Sequence, residues 1–232
     1  MEFDYIPTDL LEQAVRRFEL QTRVNGSGKQ RTRDGRVITI SRLYGAGAEE
    51  IVPMVGEQLD WMVWDDQIVE LLASEAHRDY QMRMFKALDE KAQNRIDGML
   101  AVFCDRDPAE TYLQLLPTTL HTIAAHDAII VGRAAHLFLP NSLRVLIKAP
   151  RERRIAYAMQ KNKKTKSAAE KEVKHQDRNR RRFLREMTHQ YGAVEGNSRK
   201  EVQFDIELNT GSISFENTAN IITSAVRGKF GM

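Results

Sequence analysis

Apolar positions in this chain follow two rhythms, short unbroken runs and a three-to-four spacing, and their alternation predicts the architecture. The runs are RVITIS (Arg36–Ser41), WMVW (Trp61–Trp64), AIIVG (Ala128–Gly132), LRVLIKA (Leu143–Ala149) and VQFDIEL (Val202–Leu208). Each has strand length, and strands this apolar expect cover on both faces. Helical stretches lie between them. That order predicts an α/β fold of three layers, a five-stranded parallel sheet flanked by helices and joined by right-handed crossovers. Between strands two and three the chain is longer than one crossover helix needs. QIVELLASEAH, MRMFKALDEKAQNRIDGMLAVF and YLQLLPTTLHTIAAH predict several helices there, an insertion over about 66–126.

The N-terminal stretch has Leu10, Leu11, Val15, Phe18 and Leu20 at helical spacing behind Pro7 and Thr8, which suit a helix start. An amphipathic helix is expected over 1–24 as an appendage, docked on the domain or on a second copy of the chain, which leaves a homodimer open. NGSGKQRTRDG has no apolar anchor and reads as a linker over 25–35, so the main domain runs 36–232.

Composition narrows the function classes. Of the 232 residues, 42% are hydrophobic and 29% charged, which excludes a wholly disordered or fibrous chain. The opening MEFDYIPTDL lacks the basic and apolar regions of a secretory signal, and no apolar window is long enough to span a bilayer, so the expected address is cytoplasmic with no membrane partner. The lone Cys104 excludes an internal disulfide. The net charge of +3 conceals an asymmetry: between Arg151 and Arg185 fourteen Lys/Arg face four Asp/Glu, a balance of +10, so the remainder sums to −7. Such concentration points to an anionic partner, nucleotide phosphates or a nucleic acid. Nucleic acid is disfavoured, because neither interleaved aromatics nor a helix-turn-helix pattern accompanies the charge.

In an open parallel sheet ligands lie beyond the carboxyl ends of the strands. The first exit, SRLYGAGAEEI, is a glycine-containing turn that feeds a helix. This arrangement aims backbone N–H groups and the positive helix end at phosphate, and it nominates Ser41, Arg42, Tyr44, Gly45, Ala46, Gly47 and Ala48 as a phosphate-binding loop. GxxxxGK[ST] is not matched, since Ala48 stands where a lysine is demanded. At the second exit Asp65 and Asp66 meet a helix start, where Asp66 is expected to cap. The third exit presents Gly132 and Arg133. The fourth leads into a basic segment where, on a helix from Ser167, Asp177, Arg180 and Arg181 share a face, so that the acid can hold the arginines over the site. Arg153 and Arg154 are second candidates. The histidines His77, His121, His126, His136, His175 and His189 form no HxxxH pair, and no residue set marks a resident metal. Trp61, Trp64, Met82, Met84 and Met99 are expected in the core or an interface.

Several spaced blocks, ITISRLYGAGAEEI, the strand ending in Asp65, AIIVGRAAHLFL, LRVLIKAPRERRIAYAM, KHQDRNRRRF and FDIELNT, together resemble the cytidylate kinase-like family over about Arg36 to Arg227. The resemblance implies a P-loop fold of the nucleoside monophosphate kinase kind, with a helical acceptor-binding insertion and a lid over about 161–192. It implies phosphoryl transfer from ATP or another nucleoside triphosphate, with Mg2+, to a small acceptor such as CMP or another nucleoside monophosphate. By resemblance, Arg180, Arg181, Asp177 and Asp65 carry catalysis, and Arg133 and Arg153 bind the acceptor. Two residues depart from the pattern: Glu49 places an acid where relatives often carry arginine, and Ala134 replaces an aspartate that follows the arginine in cytidylate kinases proper. They motivate an alternative, a nucleotide-binding or regulatory module that has kept the fold and lost turnover.

Overall fold

The structure, a computed structural model, describes residues 8–26, 35–88, 90, 92–94, 96, 111–191 and 204–232. Its elements in chain order are α1 (Thr8–Gly26), β1 (Val37–Arg42), α2 (Ala48–Leu59), β2 (Met62–Trp64), α3 (Asp66–Leu72), α4 (Arg78–Ala87), α5 (Thr111–Ile123), β3 (Ala128–Val131), α6 (Ala135–Phe138), β4 (Leu143–Lys148), α7 (Arg151–Asn162), α8 (Lys166–Tyr191), β5 (Ile206–Asn209) and α9 (Phe215–Phe230). They fall into two compact units, Met1–Arg36 with Trp64–Ala128 and Val37–Val63 with Ile129–Met232.

The five apolar runs form the expected five-stranded parallel sheet, in the order β2-β3-β1-β4-β5. β1 lies beside β4 with Ile40 opposite Val145, and β4 lies beside β5 with Ile147 opposite Leu208. Because side chains alternate along a strand, Ile38, Ile40, Val145, Ile147 and Leu208 share one face. Ile51, Val52 and Val55 of α2 and Ala219, Ile222 and Val226 of α9 join them in one buried cluster. Trp61 is buried at 6% exposure. On the opposite face Thr39 Oγ1 and Ser142 Oγ meet at 3.0 Å, so the buried hydroxyls satisfy each other. β1 runs one residue beyond Ser41, to Arg42. In the last run the strand covers only Ile206–Asn209, and Val202 and Gln203 lie outside the described residues.

α7 and α8 form an antiparallel hairpin of their own. Lys163, at φ 49°, ends α7 in a left-handed turn, and Ile155 and Ala158 meet Ala169 and Val173 between the helices. Charged residues cover the outer face of α8, which explains the basic composition there without further core.

In the other unit, α1 contributes Leu11, Val15 and Phe18, all at 1% exposure or less. The Phe18 ring stands edge-on to Trp64 at 6.1 Å and to His126 at 4.9 Å. Arg83 of α4 holds Glu12 at 2.8 Å and Glu19 at 3.0 Å. The helix is thus built into the core of its unit, packed against the inserted helices, and it extends to Gly26, two residues into the expected linker. Residues 27–34 of that linker, and Met99, lie outside the described residues. Leu20, expected among the apolar residues of this helix, is 52% exposed, because it lies about half a turn round the helix from the face that Leu11, Val15 and Phe18 define. Met84 is buried and Met82 is 38% exposed.

Burial of α1 sets an outcome for truncation to Ala. Phe18→Ala is expected to cost about 3–5 kcal/mol of stability, while Leu20→Ala stays within about 0.5 kcal/mol, as read from chemical denaturation curves. Equal effects would show that the stripe is not packed as described.

Candidate functional site

Between β1 and α2 the chain turns through Leu43–Gly47, and the two glycines are fixed there by what surrounds them. Gly45 has φ 76°, and a Cβ would stand 2.7 Å from the Arg154 carbonyl oxygen. Gly47, the N-cap of α2, has φ 79°, and a Cβ would fall 2.3 Å from the Phe215 ring. Both conformation and space therefore demand glycine.

The turn is held at both its polar edges. Tyr44 N–H donates to Asp177 Oδ1 at 3.2 Å, the Tyr44 carbonyl accepts from Arg154 Nη1 at 3.1 Å, and the same Nη1 lies 2.7 Å from Asp177 Oδ2. Arg154 Nε also donates to the Ala149 carbonyl at 3.1 Å. The Ala46 carbonyl accepts from the Thr210 hydroxyl at 2.8 Å. The Tyr44 ring packs on the hairpin core, and its hydroxyl accepts from Asn162 Nδ2 at 3.1 Å. Burial first, and then the nearby Glu172 carboxylate, raises the pKa of that phenol.

The backbone donors of this turn divide into two sets. Ala46 N–H returns to the Leu43 carbonyl, and Glu50 and Ile51 N–H return to the Gly47 carbonyl. The N–H groups of Gly45, Gly47, Ala48 and Glu49 have no hydrogen-bond partner among the described residues. They border a small recess, lined also by Arg42, Tyr157 and Arg180, with room for about one water-sized group. Unpaired amides at a helix start form an anion-binding arrangement.

The acids of the first turn of α2 do not stand alone. Glu49 is ion-paired with Lys161, Glu50 accepts from the Tyr157 hydroxyl, and Lys161 Nζ lies 3.2 Å from that hydroxyl. Burial, then the Glu50 carboxylate, pushes the Tyr157 phenol up to about 12. Burial alone would lower the Lys161 pKa, but the Glu49 carboxylate and the Tyr157 hydroxyl outweigh it and raise the pKa.

Of the expected site residues, Arg42, Tyr44, Gly45, Ala46, Gly47, Ala48 and Arg180 line the recess and Asp177 holds the turn, while Ser41 lies against His136. Arg180 Nη1 donates to the Arg42 carbonyl at 3.3 Å and its guanidinium lies 5.6 Å over the Tyr44 ring. The exposed Arg181 donates from Nε to the Asp177 carbonyl at 3.2 Å. Asp177 thus has a partner that spacing along α8 did not indicate, Arg154 from the neighbouring helix. Arg153 is exposed in the first turn of α7, whereas Arg154, one residue on, is buried. Arg133 leaves β3 at φ 47°, between Gly132 and a left-handed Ala134, with its guanidinium 5.5 Å over the Phe183 ring of α8. Asp65 belongs to the other unit. There it is Asp65, not Asp66, that caps α3, accepting from Gln67 N–H at 3.0 Å and Ile68 N–H at 2.9 Å. The correction has a geometric cause: β2 ends at Trp64, so Asp65 is the last extended residue and Asp66 already has helical backbone.

Sequence reasoning missed Thr210, Tyr157, Lys161 and Phe215. Thr210 ends the FDIELNT block, and Tyr157 and Lys161 follow Arg154 at helical spacing of three and four, the signals that could have found them.

Below the turn, His136 is buried at 6% exposure, with Nδ1 3.2 Å from Ser41 Oγ, its ring 5.2 Å from that of Phe204 and Nε2 without a partner among the described residues. Burial, assisted by Arg144, depresses its pKa to about 4. A His held neutral in the fold favours unfolding once the unfolded chain takes up its proton, so stability should fall from about pH 6.5 down to about pH 4, by roughly 3 kcal/mol in all. His136→Gln should flatten the stability–pH curve in that window. The loop clamp makes a second prediction: Arg154→Ala should cost about 3–5 kcal/mol, because it leaves Asp177 buried and unpaired, while Arg153→Ala changes stability by less than about 0.5 kcal/mol in the same denaturation assay.

Residues 37–211 match the model of the cytidylate kinase-like family. No curated protein matches the chain significantly. A crystal structure of an uncharacterized protein from Eubacterium ventriosum ATCC 27560 is 16% identical with a TM-score of 0.51, covering 82% of this chain and 98% of that one, a likeness of fold. Shikimate kinase from Acinetobacter baumannii in complex with shikimate is 14% identical with a TM-score of 0.37, covering 84% of this chain and 94% of that one.

Proposed function

The chain belongs to the cytidylate kinase-like family, which supports a nucleotide-binding phosphotransferase, and we propose that it moves a phosphoryl group from ATP or another nucleoside triphosphate to a small acceptor, CMP or another nucleoside monophosphate. The observation that carries this reading is the set of unpaired N–H groups at Gly45, Gly47, Ala48 and Glu49, facing a recess beside Arg180.

Each residue then has a task. The loop N–H groups donate to phosphate oxygens of the nucleoside triphosphate, at a turn held in shape before any ligand arrives. Arg180, on the lid helix and already directed at the loop by its bond to the Arg42 carbonyl, offsets charge that develops on the transferred group. Asp177 and Arg154 position the loop and the lid helix together and take no proton. Arg133, held in a left-handed turn of the kind concentrated at ligand sites, takes the acceptor phosphate, with Arg153 and Arg181 as exposed flanking cations. Among the described residues no group of three or more His, Cys, Asp or Glu could hold a metal ion, so the Mg2+ that accompanies a triphosphate would be bound through its phosphates and supply charge neutralisation there. Among the same residues no helix is long and apolar enough to cross a membrane.

Glu49 favours a second reading, a module that binds nucleotide without turnover, because its carboxylate stands at the start of the phosphate-binding helix. Turnover separates the two. A coupled assay with a panel of nucleoside monophosphates and MgATP should show phosphoryl transfer, with Arg180→Ala lowering kcat by about a hundredfold or more and Arg180→Lys recovering only part. Normal turnover with Arg180 and Arg181 both changed to Ala would sink the lid assignment, and binding without turnover would favour the second reading.

A further inference from the structure

The loop lacks the lysine that commonly follows the glycines of a phosphate-binding turn, and a cation stands nearby on another helix. Arg154, Tyr157 and Lys161 lie three and four residues apart on α7, so they share one face of that helix. Each is tied to the loop or to the start of α2. Arg154 holds the Tyr44 carbonyl, Tyr157 lines the recess and bonds Glu50, and Lys161 meets Glu49 and, at 3.4 Å, Glu50. Arg154 and Tyr157 are fixed in place by these contacts, and Lys161 ends the row at the carboxylates of Glu49 and Glu50, in the first turn of the helix whose leading amides are unpaired.

We propose that Lys161 is a ligand of the donor phosphates, held by Glu49 until a polyphosphate displaces that carboxylate. The inference rests on the phosphotransferase reading and adds to it the residue that supplies the missing loop charge and an internal competitor for it. Glu49 and a phosphate group present the same chemistry to an ammonium, acidic oxygens at a helix start, so they compete for one position. The exchange is open to solvent, because the side chains of Lys161 and Glu49 are 39% and 57% exposed, and an exposed ion pair contributes little that a multiply charged ligand must overcome. Tyr157 serves as a positioning residue. Its hydroxyl keeps hold of Lys161 once Glu49 is released, and the Lys161 ammonium lies 5.5 Å over its ring.

The test is MgATP binding by calorimetry at fixed physiological salt, on the full chain and on Glu49→Gln, Lys161→Ala, Glu49→Gln/Lys161→Ala and Glu49→Gln/Lys161→Arg, each first shown to unfold cooperatively. Removing the competitor should tighten binding by about fivefold to tenfold in Glu49→Gln. Removing Lys161 from that background should then weaken it by about tenfold or more, the scale of one charge-assisted hydrogen bond, and arginine there should keep most of the affinity. That step discriminates, because with Glu49 already neutral a lysine whose task was to pair with that acid keeps only a 3.4 Å, solvent-exposed contact to Glu50, too weak to be worth a tenfold loss of ligand affinity. Affinity of Glu49→Gln/Lys161→Ala within about twofold of Glu49→Gln would overturn the proposal, as would a Glu49→Gln protein that binds no tighter than the unmodified chain. MgATP binding to none of the folded proteins would overturn the phosphotransferase reading together with this one, whereas equal binding to all five would remove this inference alone.

Discussion

The arrangement of the candidate site depends on one buried ion pair, Arg154 with Asp177. A guanidinium and a carboxylate this little exposed, at 8% and 15%, are tolerable only if their remaining hydrogen-bonding capacity is met. The structure meets it with the backbone of the turn between β1 and α2. Arg154 takes the Tyr44 and Ala149 carbonyls, and Asp177 takes the Tyr44 N–H. One interaction thus joins α7, α8, the end of β4 and the loop. Asp177 stands one turn before Arg180 on α8, so fixing the acid also fixes where the arginine can reach.

The remaining constraints on the loop come from the C-terminal part of the chain. Thr210, just past β5, holds the Ala46 carbonyl, and Phe215, the first residue of α9, occupies the space a Cβ on Gly47 would need. The turn is therefore bounded by α7 and α8 on one side and by β5 and α9 on the other. Its unpaired amides remain directed outward because the carbonyls have partners in the protein, the preorganisation that electrostatic catalysis requires.

Charge is distributed in an unusual way around this turn. An acid follows the glycines, and the cations nearby come from helices far along the chain, Arg180 from α8 and Lys161 from α7. Membership of the cytidylate kinase-like family supports a nucleotide-binding phosphotransferase. What separates this chain from a loop that carries its own lysine is that binding must reorganise an existing ion pair, so affinity depends on a competition as well as on contact.

Much of this was legible in the linear chain. Unbroken apolar runs such as ITI and AIIV can be satisfied only by a sheet covered on both faces, so strand number and parallel class followed from hydrophobic burial alone. SRLYGAG marked the tight turn between β1 and α2, because glycine is the residue type that tolerates its backbone. Where neighbouring residues carry the same chemistry, the sequence had no means of choosing. Arg153 and Arg154 are chemically identical, and only the rotation of α7 against α8 buries the second and exposes the first. Asp65 and Asp66 differ only in which one has left the strand. The pairing of Glu49 with Lys161 spans 112 residues. No local pattern encodes such a contact, since it exists only once the sheet brings the start of α2 and the end of α7 to the same side of the loop.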